Sequence, residues 1–503
     1  MDWNLLMAGF SKVMLNPLNM GFVFIGVTAG IIVGALPGLT ATMGVALLIP
    51  FTFGLEPIQG LVMLIGLFTG GVYGACVSSI LIGIPGTPAG AATVLDGFMM
   101  TKKGLAGKAI GIAVFASFFG GTIGALIMTF CAPQIAKVAL EFGPPEFFAL
   151  AFFGLGVIIT ISGKSILKGL ISGVFGLMLP LVGFDPISGA SRFTFGSKEL
   201  LGGITLIPAL IGLFGYSQVF QSIEKFLVTP KIKTELKNIL PSWSEFKKVW
   251  KTMIKSSLIG VFIGAVPGTG TDVAAFVAYG EAKRSSKHPE KFGTGIIEGI
   301  AAPESSNNAC VGGAMVPMLT LGIPGDAVTA VLMGALTIHN LQPGPMLFKD
   351  NPEIVYPIFA GVILSQFVML IVGFGGAHLF ARLINIDRRV LTPIIFLLCV
   401  IGSYSMRFSF FDVGVSLIIG ILAYFMNYYG FPCSPILLAI ILGPMVEQNL
   451  RRSLLISHGD PLIFITRPIS ATFIIIGLLI IITSYYRIKK AMEREEKALK
   501  MEK

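Results

Sequence analysis

The chain has 503 residues, of which 54% are hydrophobic, only 12% are charged and 62 are glycine. This composition excludes a soluble globular protein of that length and indicates a polytopic integral membrane protein, in which runs of about 20 apolar residues cross the bilayer as helices. The formal net charge of +10 is typical of lysine and arginine in cytoplasmic loops, so we expect a lipid bilayer and no nucleic acid as partner.

The fold class predicted from these runs is all-α. A chain in lipid must satisfy its backbone hydrogen bonds internally, and the long apolar runs lack the alternating pattern of barrel strands. The five cysteines form no C-x-x-C pair, so the sequence predicts neither a disulfide framework nor a zinc site.

Residues 1–224 are predicted to form a first transmembrane repeat. Its apolar runs are 20–36, 39–53, 57–84, 107–131, 147–161, 169–182 and 203–220. The stretch GALPGLTATMG separates the first two runs, and GIPGTPAG follows the third. Because proline and glycine interrupt helices, these stretches predict broken helices.

Residues 225–255 hold eight lysines and two glutamates, which predicts a basic cytoplasmic connector. Residues 256–466 are predicted to form a second transmembrane repeat, and 467–503 a final transmembrane helix with a cytoplasmic tail. The apolar runs of this part are 256–266, 271–279, 305–322, 327–338, 355–380, 390–403, 413–425, 435–446 and 469–486.

The second half repeats phrases of the first in the same order. GALPGLTATMG matches GAVPGTGTDVA, GIPGTPAG matches GIPGDAVT, and GVFGLMLPLVGF loosely matches GILAYFMNYYGF. Three matches with similar separations predict an internal duplication into two structural repeats.

Charge placement predicts that the two repeats have inverted topology. If the connector and the C-terminal tail are both cytoplasmic, the last single span starts outside, so the second repeat begins inside and ends outside. The first repeat then does the reverse. Arg451, Arg452 and Arg467 fall outside and are exceptions to the positive-inside rule.

The opening phrases of both repeats are predicted to be tips of re-entrant hairpins. From Lys255 to Val266 there are too few residues to cross the hydrocarbon core, and the following run ends in the charged stretch EAKRSSKHPEK. By symmetry the segment 20–53 enters from the opposite side. Non-helical backbone at this depth is tolerated only where it is buried in protein or lines a cavity, so the tips predict a site.

A half-helix that starts at such a tip presents unpaired N–H groups and the positive end of its dipole, an arrangement that attracts anions. The tip glycines Gly38 and Gly268 allow close approach of a substrate to the backbone. Hydroxyl groups that we expect to contact an anionic substrate follow the tips, at Thr40, Thr42, Thr87, Thr269 and Thr271.

Asp272 and Asp326 each follow a tip and are among the few acids within apolar segments, where a charge is costly and usually functional. A carboxylate beside exposed carbonyls suits a hard cation such as sodium. The alternative is that threonine and aspartate only cap the half-helices.

A third polar group of residues occurs in EGIAAPESSNNACVGG, where Pro303 is expected to break the helix before the cluster. Glu304 belongs to this cluster, and the residues predicted to bind substrate are Ser305, Ser306, Asn307 and Asn308. The alternative is a helix cap at the cytoplasmic interface. In the first half the matching region supplies Ser79, which is predicted either to bind substrate or to pack between helices.

Four stretches carry a resemblance to a known family: GALPGLTATMGVALLIPFTFGLEP, GIPGTPAGAATVLDG, GIIEGIAAPESSNNACVGGAMVPMLTLGIPG and IHNLQPGPMLF. Through most of residues 20–446 the sequence resembles the large membrane subunit of the tripartite tricarboxylate transporters. The resemblance implies a secondary transporter in the bacterial inner membrane for carboxylates such as citrate, driven by a cation gradient. It also implies two partners, a small four-helix membrane subunit and a periplasmic solute-binding protein.

Other function classes are less consistent with the sequence. It contains no H-E-x-x-H, no G-x-S-x-G and no P-loop motif, so we expect neither an enzyme nor an ATP-driven pump. No cofactor is expected, and sodium, or a proton, is the expected coupling ion. A passive anion channel remains the alternative, because re-entrant Pro-Gly hairpins also line pores.

Overall fold

The computed structural model describes residues 2–161, 165–224, 236, 238–384, 386 and 388–501. The helices of the first half are α1 (Trp3–Met14), α2 (Pro17–Ala35), α3 (Ala41–Thr52), α4 (Pro57–Ile82), α5 (Val94–Lys102), α6 (Ala106–Ala139), α7 (Pro144–Ile161), α8 (Ile166–Met178), α9 (Leu206–Leu210) and α10 (Ser217–Glu224). A π-helical stretch, Ile211–Tyr216, joins α9 and α10 into one continuous helix.

The first helix of the second half begins within the predicted connector, at Trp243. The helices of this half are α11 (Trp243–Gly264), α12 (Gly270–Ser285), α13 (Glu298–Leu321), α14 (Ala327–Ile338), α15 (Pro345–Asp350), α16 (Pro352–Gly375), α17 (Ala377–Leu383), α18 (Arg388–Ser405), α19 (Phe410–Tyr428), α20 (Ser434–Ile456), α21 (Ile463–Thr466) and α22 (Pro468–Met501). Within the described residues, the strands are β1 (Gly183–Phe184) and β2 (Ser191–Arg192), which pair antiparallel with Gly183 opposite Arg192.

By length and apolar composition, six helices of the described part of the chain can cross a membrane. They are Pro17–Ala35, Pro57–Ile82, Ala106–Ala139, Leu206–Glu224, Pro352–Gly375 and Phe410–Tyr428. The chain is therefore a multi-pass, almost entirely helical membrane protein, as the composition predicts. The inverted orientation of the repeats and the re-entrant course of the hairpins stay predictions.

Several helices differ from their predicted bounds, and the differences at α13 and α11 bear on specific predictions. Pro303 does not break a helix before the polar cluster, because it lies inside α13, which begins at Glu298. A proline removes one backbone hydrogen bond, and close packing of α13 against its neighbours holds the helix across this position. α11 begins at Trp243, where Ser242 and Glu245 form a capping box, so it includes the last part of the predicted connector. Residues 225–235 and 237 of that connector lie outside the described residues.

Glycines allow the first two long helices of each half to touch backbone to backbone. A Cβ at any of these glycines would lie within 2.5 Å of a carbonyl oxygen on the facing helix. Between α2 and α4 the pairs are Gly26 with Met63 and Gly30 with Leu67, and between α11 and α13 they are Gly260 with Ser306 and Gly264 with Cys310. Helix pairs in membranes associate through such small residues.

The two halves meet where α6 packs against α13. Cβ atoms added at Gly120 and Gly124 of α6 would lie 2.0 Å from the Ser305 oxygen and 2.4 Å from the Ala309 oxygen. α13 is consequently enclosed by protein, and its residues from Gly299 to Thr320 are buried.

Two of the three arginines that the predicted topology places outside form ion pairs with acidic residues. Arg451 donates to both carboxylate oxygens of Asp185, at 2.9 and 2.8 Å. Hydrogen bonds from the Ile187 backbone N–H and the Arg451 guanidinium hold the pKa of the Asp185 carboxyl well below its usual range. Arg467 pairs with the buried Glu146 at 2.5 Å. Both arginines therefore have acidic partners within the fold.

Candidate substrate-binding site

Four loops with a Pro-Gly pair interrupt the helices of the two halves. They comprise residues 36–40 between α2 and α3, 83–87 after α4, 265–269 between α11 and α12, and 322–326 between α13 and α14. We call them the four Pro-Gly loops. The second one leads into a 3-10 turn, Pro88–Gly90, and α5 starts only at Val94, so this loop is not followed directly by an α-helix.

Corresponding glycines of these loops have corresponding backbone conformations. Gly38 and Gly268 have φ angles of 94° and 79°. Gly83 and Gly322, which end α4 and α13, both have a φ of 70°. Residues other than glycine rarely adopt these left-handed conformations, so the sequence requires glycine at the points where the chain turns.

The loops of each half pack closely on one another. A Cβ at Gly86 would lie 1.9 Å from the Gly34 oxygen, and one at Gly325 would lie 2.4 Å from the Gly264 oxygen. The Gly268 N–H also donates a hydrogen bond of 2.8 Å to the Gly325 oxygen. In both halves the second loop therefore rests against the end of the first long helix.

A cavity of ≈ 250 Å³ lies at the C-terminal ends of the four Pro-Gly loops, where Thr40, Thr87, Gly270 and Asp326 line it. Segments of both halves line it: the start of α3, the turn after Thr87, and the first residues of α12 and α14. Of the predicted site residues, Thr40, Thr42, Thr87, Thr271, Asp272 and Asp326 line this cavity. Phe68, Val72 and Phe214 give it an apolar wall.

The polar lining differs between the two halves of the molecule. In the register of the repeated phrases, Thr42 of the first half corresponds to Asp272 of the second, and Thr87 corresponds to Asp326. The first half thus supplies hydroxyl groups, while the second supplies two carboxyl groups. The lining includes no lysine, arginine or histidine among the described residues.

Threonine hydroxyls also hold the helix ends at the loops. Thr40 caps α3, because its Oγ1 accepts a hydrogen bond of 3.1 Å from the Met43 N–H. Thr269 does not line the cavity, and its hydroxyl donates to the carbonyl oxygens of Ile263 and Val266 at the end of α11.

Asp326 and Asp272 occupy different positions in their helices. Asp326 is the N-cap of α14, where its Oδ1 accepts hydrogen bonds of 2.8 Å from both the N–H and the hydroxyl of Thr329. The Asp326 side chain caps α14 and also lines the cavity, so helix capping and contact with a ligand are compatible. Asp272 lies in the first turn of α12 and is only partly buried.

Ser79 and the four polar residues that follow Glu304 surround the cavity without lining it. The Ser79 hydroxyl donates to the oxygens of Ala75 and Gly90, at 2.7 and 2.9 Å. The Ser305 hydroxyl donates to Ala301 of its own helix at 2.7 Å.

The next three residues of α13 are fully buried, which differs from a cap at a water interface. Ser306 donates to the Ala274 oxygen of α12 at 3.0 Å. Asn307 donates to the Ala89 oxygen, in the cavity wall, at 3.1 Å. Asn308 donates to the Asn307 Oδ1 at 2.8 Å. These bonds place Asn307 one hydrogen bond away from the cavity lining.

Glu304 has a geometry that the sequence pattern does not reveal. The cluster around it suggests polarity, but its two hydrogen-bond donors, Thr93 and Ser117, come from distant parts of the chain. A lone glutamate within an apolar helix is the one sequence signal that marks it.

Comparison with known proteins shows where the sequence has relatives. The family model "Tripartite tricarboxylate transporter TctA family" matches residues 20–438. An "Uncharacterized 52.8 kDa protein in TAR-I ttuC' 3'region" of Agrobacterium vitis is 38% identical over 464 residues, which cover 92% of each chain. A second Agrobacterium vitis protein, from the "TAR-II ttuC' 3'region", is 37% identical over 223 residues, 44% of this chain and 92% of its own. No solved structure shows a significant match.

Proposed function

Because the chain belongs to the tripartite tricarboxylate transporter TctA family, we propose that it is the large permease subunit of a cation-coupled secondary transporter. Its substrates are tricarboxylates or related carboxylates, and its coupling ion is sodium. The cavity between the four Pro-Gly loops is the binding site, since both halves of the molecule contribute to it. A site between two repeats that move relative to each other suits alternating access.

The observation that carries this proposal is the uneven charge of the cavity. A carboxylate group fits beside Thr42 and Thr87, where hydroxyls and the start of α3 supply donors and a positive dipole end. Asp272 and Asp326 on the other side repel an anion strongly in a site with little water. A sodium ion between these carboxylates removes the repulsion, so substrate and cation bind together. Symport follows from this mutual dependence.

The loop glycines and the α13 amides have supporting roles in this proposal. Gly38 and Gly268 do not line the cavity themselves; their positive φ angles let the chain turn into the segments that do, and Thr269 holds the end of α11. Asn307 positions the wall through Ala89, and Ser306 positions α12 through Ala274.

A family of tripartite systems requires further components. The proposed partners are a small four-helix membrane subunit and a periplasmic solute-binding protein that delivers the carboxylate. The proposed location is the inner membrane of a bacterium, with the C-terminus in the cytoplasm.

The test is uptake into proteoliposomes that contain the full chain together with candidate partner subunits from neighbouring genes. Radiolabelled citrate, isocitrate, malate and succinate are supplied in turn with and without an inward sodium gradient. We expect one or more of them to accumulate above the external concentration, and a sodium ionophore to abolish the accumulation. If the internal carboxylate only reaches the external concentration, and does so equally with and without a sodium gradient, symport is contradicted and a passive anion channel is favoured.

A further inference from the structure

Glu304 lies outside the cavity, where α13 of the second half packs against the first half. Its side chain is fully buried. Its Oε1 accepts a hydrogen bond of 2.5 Å from the Thr93 hydroxyl, and its Oε2 accepts one of 3.1 Å from the Ser117 hydroxyl. Thr93 directly precedes α5 and Ser117 lies on α6. The carboxyl group and its two donors therefore belong to different halves of the molecule.

No positive charge compensates this carboxyl group within the described part of the chain, because none of its ion pairs includes Glu304. Tyr73 and Cys76 on α4 are titratable groups close enough to interact electrostatically with Glu304. Asp96 on α5 lies beside Gly299, more than one turn earlier on α13, and pairs with Tyr279 of α12.

The other helices packed against α13 also place no basic side chain against Glu304 within the described part of the chain. Among the described residues, α6, α11 and α14 bring no lysine, arginine or histidine into hydrogen-bond contact with Glu304. A charged carboxylate that is buried without a cation is costly in a membrane protein, and a bound proton removes that cost.

Asp96 provides a contrast, because it is equally buried but held differently. Its oxygens accept hydrogen bonds of 2.7 to 3.0 Å from the backbone N–H groups of Gly293, Gly295 and Ile296. Backbone N–H groups can only donate, so none of these three partners can accept a hydrogen bond from a carboxyl proton. A hydroxyl can donate or accept. The hydroxyls of Thr93 and Ser117 can therefore hold Glu304 as a carboxylate or, after one of them rotates, as a carboxylic acid.

We propose that Glu304 binds and releases one proton in each transport cycle, so that a proton is a coupling ion in addition to the cation at the cavity. Relative movement of the two halves separates the carboxyl group from Thr93 and Ser117 and exposes it to water. The carboxylic acid gives its proton to water on one side of the membrane, and the carboxylate takes a proton from water on the other side. This inference rests on the proposed transport function.

The experiment uses proteoliposomes with the full chain and its partner subunits, at equal sodium on both sides. One readout is exchange of radiolabelled carboxylate (citrate first, then the other three compounds) for internal carboxylate, which needs no net ion movement. The other is the ratio of net uptake rates with and without an inward pH gradient. For the wild type we expect exchange and a ratio well above one. Glu304→Gln keeps exchange while its ratio falls to one.

The matched control is Glu146→Gln, which removes a buried acid that is paired with Arg467. We expect this variant to keep the wild-type ratio. A wild-type ratio in Glu304→Gln overturns the proton-binding role, and so does a wild-type protein that exchanges carboxylate with a ratio of one. Absence of exchange in the wild type instead contradicts the transport function itself.

A second variant decides the question if Glu304→Gln does not insert or does not exchange. Thr93→Val combined with Ser117→Ala removes the two donors that favour the carboxylate. The pH of half-maximal gradient-driven uptake should then rise by about one unit, as expected for the loss of hydrogen bonds to a charged group. An unchanged pH of half-maximal uptake overturns the proposal.

Discussion

At the scale of single residues, equivalent positions of the two halves place different side chains in the cavity. Thr42 and Thr87 offer neutral hydroxyls, while Asp272 and Asp326 offer carboxylates at the corresponding places. Under the proposed function, this difference separates an anion side from a cation side of the cavity. The sequence identifies these residues as candidates, but only the fold brings them to one cavity.

A charge on the anion side should prevent substrate binding. Thr42→Asp places a third carboxylate in the cavity, where it repels the substrate and replaces a hydroxyl donor. We expect uptake to fall at least about a hundredfold, the effect of roughly 3 kcal/mol. Thr42→Ser retains the hydroxyl and should stay within about threefold of the wild type in the same assay. Equal uptake by both variants would place the substrate elsewhere.

A neutral side chain on the cation side should weaken sodium binding. Asp272→Asn keeps the size of the side chain but removes a ligand charge, so the sodium concentration for half-maximal uptake should rise on the order of tenfold. Membrane insertion should be unaffected. Asp350→Asn, at an exposed position, is the matched control and should leave sodium dependence unchanged. Identical sodium dependence in both variants would show that Asp272 does not bind sodium and acts only at the start of its helix.

The hydrogen-bond partners of the polar residues in α13 could not be predicted from the sequence. Residues Ser305 to Asn308 are recognisable as a polar cluster, but the acceptors of Ser306 and Asn307 are the oxygens of Ala274 on α12 and of Ala89, far away in the chain. Pairing of this kind depends on tertiary contacts. The same applies to Glu304, whose donors come from α5 and α6.

At the scale of elements, the four Pro-Gly loops decide where helices stop. Proline prevents the helix from continuing, and glycine at positive φ lets the chain turn within a few residues. The short helices α3 and α14, of 12 residues each, begin directly after such loops. Their starting points at the cavity are a direct consequence of the repeated phrases.

The loop glycines should be more sensitive to substitution than glycines in the helices that follow. Gly268→Val imposes a β-branched side chain on a residue with a φ of 79°, so we expect loss of transport in a protein that still inserts. Gly280→Ala, in α12 where a Cβ would meet nothing within 4 Å, should transport normally. Uptake and membrane content are measured together. Normal uptake by Gly268→Val would show that the loop conformation is dispensable.

Apolar runs predict helices well where the whole helix is apolar and poorly where part of the helix is polar. α2, α4 and α16 coincide closely with predicted runs. α13 starts earlier than predicted because its polar first part is buried by α5, α6 and α12 and needs no apolar composition. α11 starts earlier because a capping box, and not hydrophobicity, fixes its first turn.

At the scale of the whole molecule, the duplication predicts that the two halves cross the membrane in opposite directions. The parallel contacts of Gly86 with Gly34 and Gly325 with Gly264 are equivalent in the two halves. Contacts within a chain are independent of the membrane's orientation, so topology needs its own measurement.

Labels at loop positions can test the inverted topology. A cysteine at Lys287, in the loop after α12, should react only with a thiol reagent that enters the cytoplasm. A cysteine at Asp350, at the end of α15, should react from outside. Both labels on the same face would exclude the hairpin and the inversion together. The exposed Cys131 is first replaced by serine.

We propose that carboxylate and sodium occupy the cavity between the four Pro-Gly loops at the same time. The most direct measurement is the reaction of a thiol reagent with Thr271→Cys, at the cavity, in the background that lacks Cys131. Citrate, or the compound of the uptake panel that accumulates fastest, should slow this reaction at least about tenfold when sodium is present and much less when sodium is replaced by choline. Lys287→Cys should react equally fast in all conditions. If Thr271→Cys reacts at the same rate with and without the transported compound and sodium, the cavity is not the binding site and the central claim is wrong.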